Sequence, residues 1–147
     1  MSERKPRPVR DEFRRFATIP TRWADNDAFG HVNNVQYYAY FDTVVNEALV
    51  RAGLLDITGS AIVGLVVETS CTFFASIAFP DVLEVGMAIE KIGTSSLTYR
   101  LGVFRQGEPA AAAAGRFVHV YVERLSQRPV RLPDGLRRYA EGLLVRP

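Results

Sequence analysis

Two aspartates, Asp25 and Asp27, stand just ahead of Gly30, His31 and an Asn33–Asn34 pair, and a long stretch of regularly spaced apolar residues comes directly after them. The order of these residue types is what gives them a chemical meaning. A helix that starts at the asparagines presents unpaired N–H groups and partial positive charge, which can hold a carbonyl oxygen as it becomes an oxyanion. A carboxylate on a glycine-bent loop a few residues upstream can stand beside the same carbon as nucleophile or base. Together they suit acyl transfer. The same residues also suit plain caps and turns, because Asp and Asn bond readily to nearby backbone. Spacing alone leaves both readings open.

Other chemistries find less support. The run D-N-D-A-F-G imitates the start of a calcium loop, but its fifth position is Phe29 and its twelfth is Gln36, where a bidentate glutamate would be needed. Two histidines and one cysteine do not assemble a usual zinc site, so no metal is expected. No serine or cysteine sits in a nucleophile-elbow context, so His31 beside the aspartates does not make a triad. Cys71 reads as buried packing, and His119, alternating with Val118 and Val120, reads as a sheet-face histidine.

The elements that must position the chemical residues can be read from periodicity. From Asn34 a helical repeat puts Tyr37, Tyr38, Phe41, Val44, Val45, Ala48, Leu49 and Ala52 on one broad arc, with Gln36, Tyr40, Thr43, Glu47 and Arg51 opposite. Asn is a favoured cap, Glu47–Arg51 is a favourable pair, and Gly53 closes the helix. The breadth of the arc implies a curved partner. Residues 13–23 are expected as a first strand, with Pro20 arguing for an edge position or a strand end, and 54–60 as a connecting loop. Further strands are expected over 61–77, 82–92, 96–105 and 112–123, separated by turns such as Gln106-Gly107-Glu108-Pro109. In the first of these, Ile62, Val66, Thr72 and Phe74 would share a face. Short connections predict an antiparallel meander, and 133–144 reads as a short helix with Asp134 as a candidate cap. The fold class is α+β: five antiparallel strands wrapped around one long helix.

The 147 residues bound one domain, 13–147, behind a basic arm, 1–12, that is expected to be loose. No apolar run has the length of a membrane span, no apolar segment succeeds the basic N-terminus as a secretory signal would require, and one cysteine fits a reducing cytosol. The expectation is a cytoplasmic protein. A formal net charge of +2 argues against a nucleic-acid partner. The positive charge is nearly all arginine, and basic residues cluster in the arm (Arg4, Lys5, Arg7, Arg10, Arg14, Arg15) and after the last strand (Arg124, Arg128, Arg131). These read as a solvated rim, or as an attraction for phosphate groups.

The string D-N-D-A-F-G-H-V-N-N-V-Q-Y-Y-A-Y-F-D resembles the signature D-x-D-x-x-G-H-V-x-N of the hotdog-fold acyl-CoA thioesterases of the 4-hydroxybenzoyl-CoA thioesterase type. Residues 79–85, the Gly93–Thr98 turn and the strand 118–122 resemble later stretches of that family, in order, over roughly residues 14–145. The resemblance implies hydrolysis of an acyl thioester, on coenzyme A or an acyl carrier, without metal or organic cofactor. It implies Asp27 as nucleophile or general base and the backbone N–H at Asn34 as the group polarising the carbonyl. Gly30, His31, Asn33, Tyr37 and Glu68 would contact substrate, while Asp25, to which the resemblance gives no role, reads from its place in the loop as fixing it through backbone hydrogen bonds. Glu68 is an alternative carboxylate, on a strand expected to line the pocket. Asp42 matches an acidic position of structural role, but many relatives carry an arginine shortly after it, where this chain has Asn46 and Glu47. The family further implies a homodimer or homotetramer with shared sites. Two rivals remain: a hydratase or dehydratase on the same fold, whose D-x-N-P-x-H motif this chain lacks, and a non-catalytic acyl-binding protein.

Overall fold

The computed structural model describes residues 6–145. Its strands are β1 (Arg15–Pro20), β2 (Ile62–Phe73), β3 (Val82–Ile92), β4 (Ser96–Arg105) and β5 (Ala113–Glu123), and its helices are α1 (Asn34–Arg51) and α2 (Asp134–Glu141). All strand pairs are antiparallel, in the order β1-β3-β4-β5-β2. The expected meander therefore holds only for β3–β4–β5. Between β1 and β2 the chain spends 18 residues as α1, crosses the sheet, and re-enters at the opposite edge. The result is a hotdog fold, one long helix held in a curled five-stranded sheet.

α1 buries Tyr37, Tyr40, Phe41, Val44, Val45, Ala48 and Leu49 against a sheet face that includes Met87, Ile89, Tyr99, Leu101 and Phe117. Each such aliphatic or Phe side chain removed from water contributes about 1.5–3 kcal/mol. The helix and sheet approach closely at Gly115, where a Cβ would collide with the Ser70 carbonyl and the Phe41 ring. The arc read from periodicity is right except at three places. Tyr40 is buried instead of facing solvent, Ala52 is exposed, and Tyr38 is only half-buried.

Strand β2 departs from the expected alternation. Its pairing with β5 shifts between Val66 and Glu68, a bulge that reverses which side chains face which way. On the N-terminal side of the bulge Gly64 lies against His119, and beyond it Phe73 lies edge-on to Tyr37 at 4.9 Å. Ser70, Thr72 and Phe74 line a groove that they share with Arg100 and Arg116. Ile62, Val66, Thr72 and Phe74 thus do not share one face.

The arm is not loose over its described part. Ala111 N donates to Pro8 O at 2.9 Å, Glu12 binds Arg100 at 2.9 Å, and Phe13 lies edge-on to Phe104 at 5.7 Å. Gly86 and Gly102 leave room for the Phe13 ring. Arg4 and Lys5 lie outside the described residues. Asp134 begins α2, while the cap position is Pro133, without a side-chain cap bond.

Candidate active site

The segment ahead of α1 is held by one buried carboxylate. Asp25, 1 % exposed, accepts from Arg22 N at 2.9 Å, from the Arg22 guanidinium at 2.9 and 2.7 Å, and from Tyr40 Oη at 2.8 Å. Burial alone would raise its pKa, but these donors outweigh it and hold the group below the usual carboxylate range. Burial, then the bond to Asp25, pushes Tyr40 well above a normal phenol. The Asp25 carbonyl also accepts from Asn33 N at 2.9 Å, so the start of the loop is tied to the start of the helix. Asp25 fixes the loop as expected, using side-chain as well as main-chain partners.

Between these ties the chain makes a tight turn. Asp27 N donates to His31 O at 2.8 Å and Gly30 N to Asp27 O at 3.2 Å, with Gly30 at φ +83°, a conformation that favours glycine. Asp27 Oδ1 accepts from Phe29 N at 2.9 Å. The loop is anchored outward by Val32 N to Ile77 O at 2.8 Å and Phe79 N to Asn26 Oδ1 at 3.0 Å. Asn33 is the N-cap, its Oδ1 accepting from Val35 N at 3.1 Å, and its carbonyl takes Gln36 N at 2.9 Å. The Asn34 N–H finds no acceptor among the described residues.

Asp27, His31, Asn34 and Tyr37 line one cavity of about 380 Å³, closed on the other side by residues 73–76. Gly30 and Asn33 shape its loop and helix start without lining it. Glu68 is not part of it. Its side chain is 66 % exposed on the edge strand, 3.8 Å from Arg116. Asp42 sits outside as well, accepting from Asn46 Nδ2 at 3.0 Å, so Asn46 is its partner in this chain. Cys71 is half-buried, its thiol pushed up to about 12 by burial, and Tyr37 is likewise pushed to about 12 by burial and then by Cys71. No cluster that could hold a metal ion occurs among the described residues.

Sequence reasoning missed two parts of the site. Tyr40 as the partner of Asp25 has no local signal, being fifteen positions away. The wall at 73–76 becomes visible only once β2 is known to end beside the helix start. A second cavity, about 220 Å³ and mostly apolar, lies at the far end of α1 between Leu49, Leu55, Tyr121 and Leu136. The twelve residues from Asn34 to Asn46 put it about 18 Å along the helix from the first.

The chain is 51 % identical to the PA5185 protein of Pseudomonas aeruginosa strain PAO1, with 95 % of this chain and 98 % of that one covered and a TM-score of 0.93. It is 27 % identical over 120 residues to the uncharacterized protein YsmA of Bacillus subtilis, covering 81 % of this chain and 80 % of the relative. Its fold is shared by Slr0204, a 1,4-dihydroxy-2-naphthoyl-CoA thioesterase from Synechocystis, at 18 % identity, 85 % and 93 % coverage and a TM-score of 0.76. Residues 21–139, which span the loop, the helix and all strands after it, match the model of the thioesterase-like superfamily. That match takes in most of the chain, and the chain belongs to that superfamily and is a hotdog-fold thioester hydrolase.

Proposed function

We propose that this protein hydrolyses acyl-coenzyme A thioesters, with Asp27 as the catalytic carboxylate. The observation that carries the reading is that Asp27 and the start of an 18-residue helix line the same cavity. The thioester carbonyl oxygen points at the Asn34 N–H, which accepts the growing negative charge. Asp27 takes a proton from water as its oxygen attacks the carbonyl carbon, or attacks that carbon itself and is released by water in a second step. The tetrahedral intermediate expels the thiolate, which then takes up a proton. A thiolate leaves readily, so no strong general acid is required, and the reaction needs neither metal nor organic cofactor. His31 and Tyr37 contact the substrate beside the reacting group.

The site is completed by a second copy of the chain. β2 is a 12-residue edge strand whose Leu65, Val66, Val67 and Phe73 are exposed, a long apolar edge of the kind that templates strand pairing. Antiparallel pairing of two such edges about the bulge brings the apolar cavity of one protomer toward the Asp27 cavity of the other. It would then house the acyl group.

The test is turnover of short, long and aryl acyl-CoAs beside Asp27→Asn and Asn34→Ala. Asp27→Asn is expected to lose at least ~100-fold in kcat, the scale of removing a general base. Asn34→Ala is expected to change kcat little, since the donor is main chain. Undiminished turnover by Asp27→Asn would move the chemistry elsewhere, to Glu68 first. Hydration of an enoyl-CoA without thiol release would replace the reading with a hydratase.

A further inference from the structure

The Asp27 cavity does not end at its outer wall. Ala75 and Ser76 bound it on one side and, on the other, bound a groove of about 230 Å³ that also carries Arg7, Arg105 and Glu108. The shared wall is held firmly. Phe74 N and Ala75 N both donate to Ala112 O, at 2.8 and 3.0 Å, and Ile77 O accepts from Val32 N of the loop before α1.

Of the groove's cations, Arg7 has no acidic partner among the described residues and Arg105 has one at longer range. Arg7 is anchored by one bond, Nε to Ala111 O at 3.0 Å. Arg105, its side chain 51 % exposed at the end of β4, stands 3.4 Å from Asp81 Oδ2, beyond the range of a strong charge-assisted bond. The neighbouring Arg10 is engaged otherwise, bound to Glu84 at 2.8 Å and to the carbonyls of Arg105 and Glu108. Two guanidinium groups thus line the groove with one carboxylate, Glu108, while Asp81 stands beside Arg105 outside the lining. A ligand filling both lobes would need an uncharged reacting end and an anionic tail, joined by a chain that crosses Ala75–Ser76.

Resting on the reading that a thioester reacts at Asp27, we infer that Arg7 and Arg105 bind the phosphate groups of the thioester's carrier, with the pantetheine arm lying across Ala75–Ser76. Arginine suits this task because its planar fork matches phosphate oxygens. The phosphate belongs to the nucleotide end of coenzyme A or to the phosphopantetheine of a carrier protein, and the substrates used in the test separate the two.

The experiment compares the parent chain with the Arg7→Gln/Arg105→Gln double variant on acyl-CoA, on the same acyl group carried by phosphate-free pantetheine, and on an acyl-carrier protein. KM for acyl-CoA is expected to rise about 10-fold or more, on the scale of losing hydrogen bonds to charged groups, while KM for the pantetheine thioester stays put. A rise confined to the carrier protein supports the groove and assigns its phosphate to that source. An unchanged KM for both phosphate-bearing substrates, or an equal rise for the phosphate-free one, overturns the inference. Glu108→Gln removes an exposed acid from the same groove and is expected to lower KM for acyl-CoA, and a higher KM would count against the site. If the parent turns over no thioester, the hydrolase reading fails by itself. Calorimetric binding of coenzyme A, weakened about 10-fold in the double variant, still decides the groove.

Discussion

The two aspartates of the opening motif divide their work according to what surrounds them. Asp25 is buried and saturated with donors, while Asp27 has one bond to its own turn and faces a cavity. The difference comes from Arg22 and Tyr40, which converge on Asp25 from opposite sides of the chain. Tyr40→Phe removes one hydrogen bond to a charged, buried acceptor and is expected to cost about 2 kcal/mol. The urea midpoint checks this, and a variant as stable as its parent would deny the clamp. Arg22 lies three positions from Asp25 and could be foreseen from that spacing. Tyr40 could not, because helical periodicity assigns it to the solvent side and only the carboxylate above the first turns draws it in.

Among the elements, the pairing of β2 with β5 sets the most constraints. His119 sits 2 % exposed on β5, its Nδ1 3.2 Å from Tyr121 Oη, which in turn lies 2.7 Å from Tyr99 Oη. Gly64 across the ladder has no side chain, and a Cβ there would come within 2.6 Å of His119 Nδ1. Burial lowers the His119 pKa from 6.5 to about 4. Between those values the unfolded chain binds a proton that the folded chain does not. Stability is then complete above about pH 6.5 and falls as the pH drops toward 4, by up to about 3 kcal/mol. Urea unfolding at pH 7 and pH 4.5 is expected to show a clearly smaller acid loss for His119→Gln than for the parent. Equal losses would mean the histidine is not held neutral. The histidine on a sheet face was legible from alternation. Its neutral state depends on the tyrosines and the glycine that close over it.

At the scale of the whole molecule, the edge of β2 that no described strand pairs with is the feature that bears on the proposed function. No helix among the described residues is long and apolar enough to cross a membrane, and an exposed apolar strand has a better outlet in a second sheet. Val67→Lys places a charge at the bulge, and pairing through this edge would bring it against its own copy. Sedimentation is expected to shift toward the monomer, with turnover falling in step while the circular dichroism spectrum stays that of the parent. A variant that stays associated and active would rule out this edge as the place where two chains meet.

Local spacing was enough for most of what neighbours along the chain decide, the cap expected at Asp134 being an exception. The helix start at the asparagines, the turn at Gly30, the strand positions and the order of carboxylate, glycine and cap all come from backbone preferences that act over a few residues. The remainder emerged only when distant segments met. The single extra residue in β2 reverses its faces, because strand alternation has a period of two and any insertion flips every later side chain. Phe13, directly after the arm, packs on the sheet because Gly86 and Gly102 leave room for its ring. The far wall of the Asp27 cavity is supplied by residues 73–76, some fifty positions downstream. Such contacts depend on which strands become neighbours, and strand order is set by how the helix crosses the sheet.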